Sequence, residues 1–113
     1  MFEVRRDDGE LCGFVARHDG RWRSLTVFGS ALGDHDDERD AQHHVITIGL
    51  AVLAERWVLI DRTTGDEQVV CIQHASPDEV TLALDYYSVP GVPTMTIPVD
   101  ELFSGRWHIE RTG

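Results

Sequence analysis

The stretch Asp36-Asp37-Glu38-Arg39-Asp40-Ala41-Gln42-His43-His44-Val45-Ile46-Thr47-Ile48-Gly49-Leu50-Ala51-Val52-Leu53-Ala54 decides the fold. Ala41, Val45, Ile48 and Val52 recur at helical spacing, while Glu38, Arg39, Gln42, His43 and Thr47 occupy much of the other side. Asp36 or Asp37 supplies an N-cap, and the acids at Asp37, Glu38 and Asp40 sit where a helix dipole favours negative charge. From Leu50 to Ala54 the pattern turns apolar all round, so this half of the helix is expected to be nearly enclosed. A competing reading makes Val45-Ile46-Thr47-Ile48 a strand, because β-branched residues cluster there and Gly49 weakens a helix by roughly 1 kcal/mol against Ala. The cap and the period favour the helix.

Outward from this segment, both flanks read as strands. Upstream, Phe2 to Arg5, Leu11 to Arg17 and Trp22 to Phe28 form a three-stranded meander. Its turns are Asp7-Asp8-Gly9 and His18-Asp19-Gly20, the latter suited to positive φ. Gly29 to Gly33 closes the unit. Downstream, Trp57 to Asp61 and Glu67 to Gln73 flank the hairpin connection Thr63-Thr64-Gly65-Asp66. Glu79 to Tyr86 alternates cleanly, with Val80, Leu82, Leu84 and Tyr86 on the apolar face. After the stiff loop Pro90-Gly91-Val92-Pro93 come a short strand from Met95 to Ile97, one helical turn from Val99 to Phe103, and a last strand from Trp107 to Glu110. The order β-β-β-α-β-β-β-β-β predicts an α+β fold, a mostly antiparallel sheet packed against one central helix. At 113 residues, 1–113 is expected to be a single α+β domain.

Composition narrows the function classes. The chain has ten arginines, no lysine and no asparagine. Both missing residues are spelled by A-rich codons, which points to GC-rich coding rather than to arginine-specific binding. Without an ε-amine there is no Schiff-base lysine and no phosphate-loop lysine. Twenty Asp and Glu bring the net charge to -10, which repels phosphate backbones and anionic lipid surfaces. Nucleic acid and membrane are therefore disfavoured as partners, and a basic protein is favoured. The start Met1-Phe2-Glu3 lacks the pattern of a signal peptide, and no apolar run reaches the ~18 residues of a membrane span. Cytoplasmic location and free thiols at Cys12 and Cys71 are the matching expectations.

Local motifs yield mostly exclusions. Asp34, Asp36, Glu38 and Asp40 alternate like the first ligands of an EF-hand loop. Arg39 then replaces the turn glycine and Val45 the bidentate glutamate, so calcium binding of that kind is not expected. His43 and His44 are adjacent on a helix, about 100° apart, and cannot easily share a metal; His35 reaches either only if the loop folds back. Ser30 directly follows Gly29, which breaks the Gly-x-Ser-x-Gly elbow. Cys12 lies between Leu11 and Phe14, an apolar setting that keeps a thiol inert. Trp22, Trp57, Trp107, Phe14, Phe28 and Phe103 read as core, while one of Tyr86 and Tyr87 should be exposed beside the proline loop. No residue is assigned as catalytic, metal-ligating or cofactor-binding, and no cofactor is expected.

The remaining signal is the acidic run. The leading expectation is a non-enzymatic acidic protein-interaction domain, of the immunity, inhibitor or accessory type, using Asp34, Asp36, Asp37, Glu38 and Asp40 against a basic partner. The alternative is a small enzyme or ligand-binding domain whose pocket is built from dispersed His, Asp and Tyr residues. A third reading is a homodimer joined through sheet edges.

Overall fold

The computed structural model describes residues 1–84 and 93–112. The chain folds as two compact units, Met1–Val52 and Leu53–Gly113. In the first, Phe2–Arg5 (β1), Leu11–His18 (β2), Arg21–Leu25 (β3) and Ala31–His35 (β4) form an antiparallel sheet in sequence order, followed by the helix Glu38–Ile48 (α1). Asp19 at φ 50° and Gly20 at φ 81° make the tight turn between β2 and β3, the conformation that Asp-Gly favours. The α+β reading holds, and the helix prevails over a strand at Val45–Ile48.

Three boundaries differ from the sequence expectation. The third strand stops at Leu25 rather than Phe28, because the chain turns at Thr26–Ser30: Gly29 N–H bonds the Thr26 carbonyl, and Ser30 N–H bonds Thr26 Oγ1 at 3.0 Å. Residues 31–35, read as part of a closure and an acidic loop, form a fourth strand. Asp34 and His35 face Arg23 and Trp22 across its ladder. The helix ends at Ile48, and Ala51–Ala54 forms a single 3-10 turn in which Ala51 and Ala54 are exposed rather than enclosed. Gly49 caps this end with its N–H on the Val45 carbonyl. A Cβ there would lie 2.4 Å from the Cys12 carbonyl oxygen, so the backbone presses on β2 at a place no side chain fits.

Strand pairing puts Val4, Gly13, Val15, Ser24 and Gly33 on one face of this sheet. Val4, Cys12, Val15, Ala41 and Val45 form the buried cluster between sheet and helix, with Trp22 and Leu50 packed against it. The floor beneath the helix is made of small residues. At Gly13, φ is 154°, and a Cβ would sit 2.1 Å from the Leu25 carbonyl oxygen and 2.9 Å from Val45 Cγ1.

The second unit is a five-stranded antiparallel sheet of Arg56–Asp61 (β5), Glu67–Ala75 (β6), Glu79–Ala83 (β7), Thr94–Pro98 (β8) and Trp107–Arg111 (β9), in the order β8-β7-β6-β5-β9. All five expected strands are present. The expectation that β7 continues to Tyr86 concerns residues outside those described. A single-turn helix, Val99–Phe103 (α2), links the two outer strands. Register places Trp57, Leu59, Val70, Val80, Leu82, Ile97 and Ile109 on one face, all buried. Met95 on β8 and Trp107 on β9 line one cleft. A flat sheet would hold its outer strands about 19 Å apart at the usual strand spacing, so this one curls around its apolar face. Among the described residues, no helix is long and apolar enough to cross a membrane.

Replacing Gly13 by Ala should destabilise the first unit by about 1–3 kcal/mol or more, because backbone rather than a flexible side chain occupies the space. Urea unfolding followed by circular dichroism measures it, and an unchanged midpoint would mean that helix and sheet separate at no cost.

Candidate functional site

The acidic run does not behave as one surface. Asp34, on β4, receives Arg23 in a two-pronged pair across the ladder, Nε to Oδ1 at 2.8 Å and a terminal nitrogen to Oδ2 at 3.2 Å. That guanidinium holds the Asp34 carboxyl below its ordinary pKa. Asp36 receives Arg21 Nε at 3.1 Å. Asp37 is the N-cap of α1, accepting the Arg39 backbone N–H at 2.7 Å. Glu38 accepts a hydrogen bond from Gln42. Asp40 alone of the five has a carboxylate with neither an ion pair nor a hydrogen bond among the described residues. Two of the five positions are thus clasped by arginines of the same unit, and a third serves the helix.

A histidine cluster that spacing alone did not reveal lies on the other face of β4. His35 and His44 meet edge to face with ring centroids 4.9 Å apart. Between them is the hydroxyl of Ser24, fully buried, 2.8 Å from His44 Nδ1, 3.2 Å from His35 Nε2 and 3.2 Å from the Gly33 carbonyl oxygen. A hydroxyl has one proton and two lone pairs. All three contacts are satisfied when Ser24 donates to Gly33 and accepts an N–H from each ring. Gly33 lies directly beneath the pair, where a Cβ would make ordinary van der Waals contact with both imidazoles. The loop never folds back; His35 reaches His44 because it stands on a strand under the helix. The rings open onto a shallow depression of about 370 Å³ bordered by Asp40, His43 and Thr47.

Chemically this trio is a lock rather than a catalytic dyad. The Ser24 oxygen is closed to solvent, and the ring nitrogens that face it are engaged by it. Among the described residues, no group of three or more His, Cys, Asp or Glu side chains is arranged to hold a metal ion. Cys12 is buried with its thiol toward the Glu10 carbonyl, and burial pushes its pKa up, as expected of an inert thiol. Cys71 is also free and is half-buried. The expectation of an exposed tyrosine at Tyr86 or Tyr87 falls outside the described residues.

The second unit has a charged constellation of its own. Asp61, at the end of β5, is buried and accepts Arg106 Nε at 3.1 Å and a terminal nitrogen at 2.7 Å on one oxygen. Its other oxygen takes the Thr63 hydroxyl at 2.6 Å and the Thr63 N–H at 2.9 Å. Arg106 and Thr63 together hold this carboxyl far below the usual carboxylate range. The Arg106 guanidinium also lies 4.7 Å from the Trp107 ring centroid. Beside it opens a cleft of about 210 Å³, with Leu59, Met95 and Trp107 as its apolar lining and Asp66 at its rim. Sequence reasoning assigned Trp107 to the core; the structure leaves it half-buried at this cleft. No protein-family model matches the chain, and no curated protein and no solved structure matches it.

Ser24→Ala removes the group that both imidazoles share, and should cost about 1–3 kcal/mol by leaving buried polar atoms unpaired; equilibrium unfolding reads it directly. For Asp61 the folded carboxyl ionises below its unfolded value. Its stabilisation is therefore complete above about pH 4 and fades as pH falls toward the folded value. Asp61→Asn should lower the melting temperature at pH 7, and the gap to the parent should narrow steadily on acidification below about pH 4. A gap that stays constant down to pH 2 would contradict a charge-based role.

Proposed function

We propose that the chain is a non-enzymatic, acidic protein-interaction domain, of the immunity, inhibitor or accessory type, that engages a basic partner. The observation that carries this reading is how charge is distributed once internal pairing is taken out. Arg5, Arg6, Arg21, Arg23, Arg106 and Arg111 are all in ion pairs with carboxylates of the same chain. With so many of its ten cations engaged, the chain's net charge of -10 falls on the remaining acids. Asp40 in the first unit, and Asp66, Glu67, Asp78 and Glu79 in the second, carry no ion pair to any described residue. Unneutralised carboxylates of this sort steer a cationic protein by long-range attraction.

Within the run that sequence reading singled out, Asp37, Glu38 and Asp40 keep their charge, while Asp34 and Asp36 would have to exchange an internal arginine for one of the partner. Such exposed pairs are worth only about 0–1 kcal/mol, so exchange is energetically open. Two free thiols, Cys12 and Cys71, agree with work in a reducing compartment such as the cytoplasm. A second reading, a small enzyme or ligand-binding domain, draws support from the convergence of His35 and His44 beside Asp40. The burial of Ser24 weighs against it.

The partner, isolated by cross-linking from native lysate, should be basic, and its association rate should fall at least tenfold between about 50 and 500 mM salt. A neutral or acidic partner, or a rate indifferent to salt, would refute the proposal. A pH-dependent turnover of any small molecule that His44→Ala abolishes would favour the second reading instead.

A further inference from the structure

We propose that the cleft bordered by β5, β6, β8 and β9 is a receptor for one arginine side chain of the basic partner. This inference rests on the acidic-binder reading and gives it an address. Three features of the cleft point to a guanidinium. Its lining is apolar and aromatic: Leu59, Met95 and the part of Trp107 that Arg106 leaves open. That surface suits a methylene stem and a flat, weakly hydrated cation, which stacks on tryptophan more readily than ammonium does. Its rim carries the carboxylate of Asp66, which has no side-chain partner among the described residues.

The third feature is the neutral setting of the resident cation. Arg106 would repel an incoming arginine, but Asp61 binds it through two nitrogens, so their charges cancel locally. The surplus at the cleft is then the Asp66 carboxylate. Arg106, Trp107 and Asp61 together already display, within the protein, an arginine held by an aromatic face and a carboxylate. The cleft offers a second arginine the same two groups. The size also fits: about 210 Å³ admits one long side chain and excludes a folded element. Gln68, on the same face, is held by its amide to the Leu84 carbonyl at 2.7 Å and keeps the β6 side of the cleft in place.

The test uses the full chain and the pentapeptide acetyl-Ala-Arg-Ala-Arg-Ala-amide, with citrulline and lysine versions as controls, followed by NMR at low salt. The arginine peptide should shift the Trp107 indole N–H and the Met95 methyl, and the lysine peptide should bind about threefold or more weakly. The citrulline peptide should not bind. Asp66→Asn should weaken binding about tenfold, whereas Glu67→Gln, on the opposite face of β6, and Asp78→Asn with Glu79→Gln, at the far end of the sheet, should each change it less than twofold. All three variants are isosteric surface changes, and dispersed spectra verify that they fold. If the arginine peptide binds but shifts residues elsewhere, or the far pair matters as much, the receptor assignment is overturned while the acidic-binder reading stands. If neither cationic peptide binds at millimolar concentration, both fall together.

Discussion

The first unit depends on a helix lying almost directly on sheet backbone. Ordinary side chains would hold α1 off the strands, but Gly13, Ser24 and Gly33 floor the contact. At that distance Val45 meets the β2 backbone, and His44 comes down onto β4 where it meets His35. The buried hydroxyl of Ser24 is then a requirement rather than an ornament. Polar imidazoles brought into such a contact need partners, and unpaired buried groups cost more than the pairing returns. The Asp37 cap and the stop at Gly49 limit the helix to the length that this floor supports.

The second unit solves a different problem with the same residue type. Arg106 neutralises a buried carboxylate and covers part of a tryptophan. Arg62 reaches the backbone carbonyls of Leu102, Phe103 and Gly105 and so satisfies the C-terminal end of α2, whose last turn has no basic residue of its own. Arg111 grips Glu55 through three short contacts. Guanidinium groups thus act here mainly as internal connectors. The excess of acids over arginines, twenty to ten, leaves the net charge of -10 on carboxylates outside these pairs.

Much of this was legible in the sequence, and the pattern of what was not is instructive. Period and capping identified α1, the Asp-Gly turn at 19–20 located the hairpin between β2 and β3, and apolar runs between turn signals located the five strands of the second unit. The fourth strand was missed because Gly33, Asp34 and Asp36 are local loop signals, whereas their partners, Arg21, Trp22, Arg23 and Ser24, lie nine to fifteen residues away. The same distance hid the histidine pair. Spacing tests compare neighbours along the chain, and His35 and His44 become neighbours only across a helix–sheet contact. The acidic run was visible as composition, but its internal neutralisation by Arg21 and Arg23 depends on register, which no local pattern encodes.

One feature of the fold carries a practical corollary. Each unit contains a single thiol, Cys12 sealed beneath α1 and Cys71 half-sheltered on β6. Alkylation of Cys12 requires the first helix to lift from its sheet, so its labelling kinetics form a built-in clock for local opening of that half. Cys71, already partly exposed, needs no such opening and serves as an internal reference. The protein therefore reports the breathing of its first part against its own reference thiol, without any introduced probe.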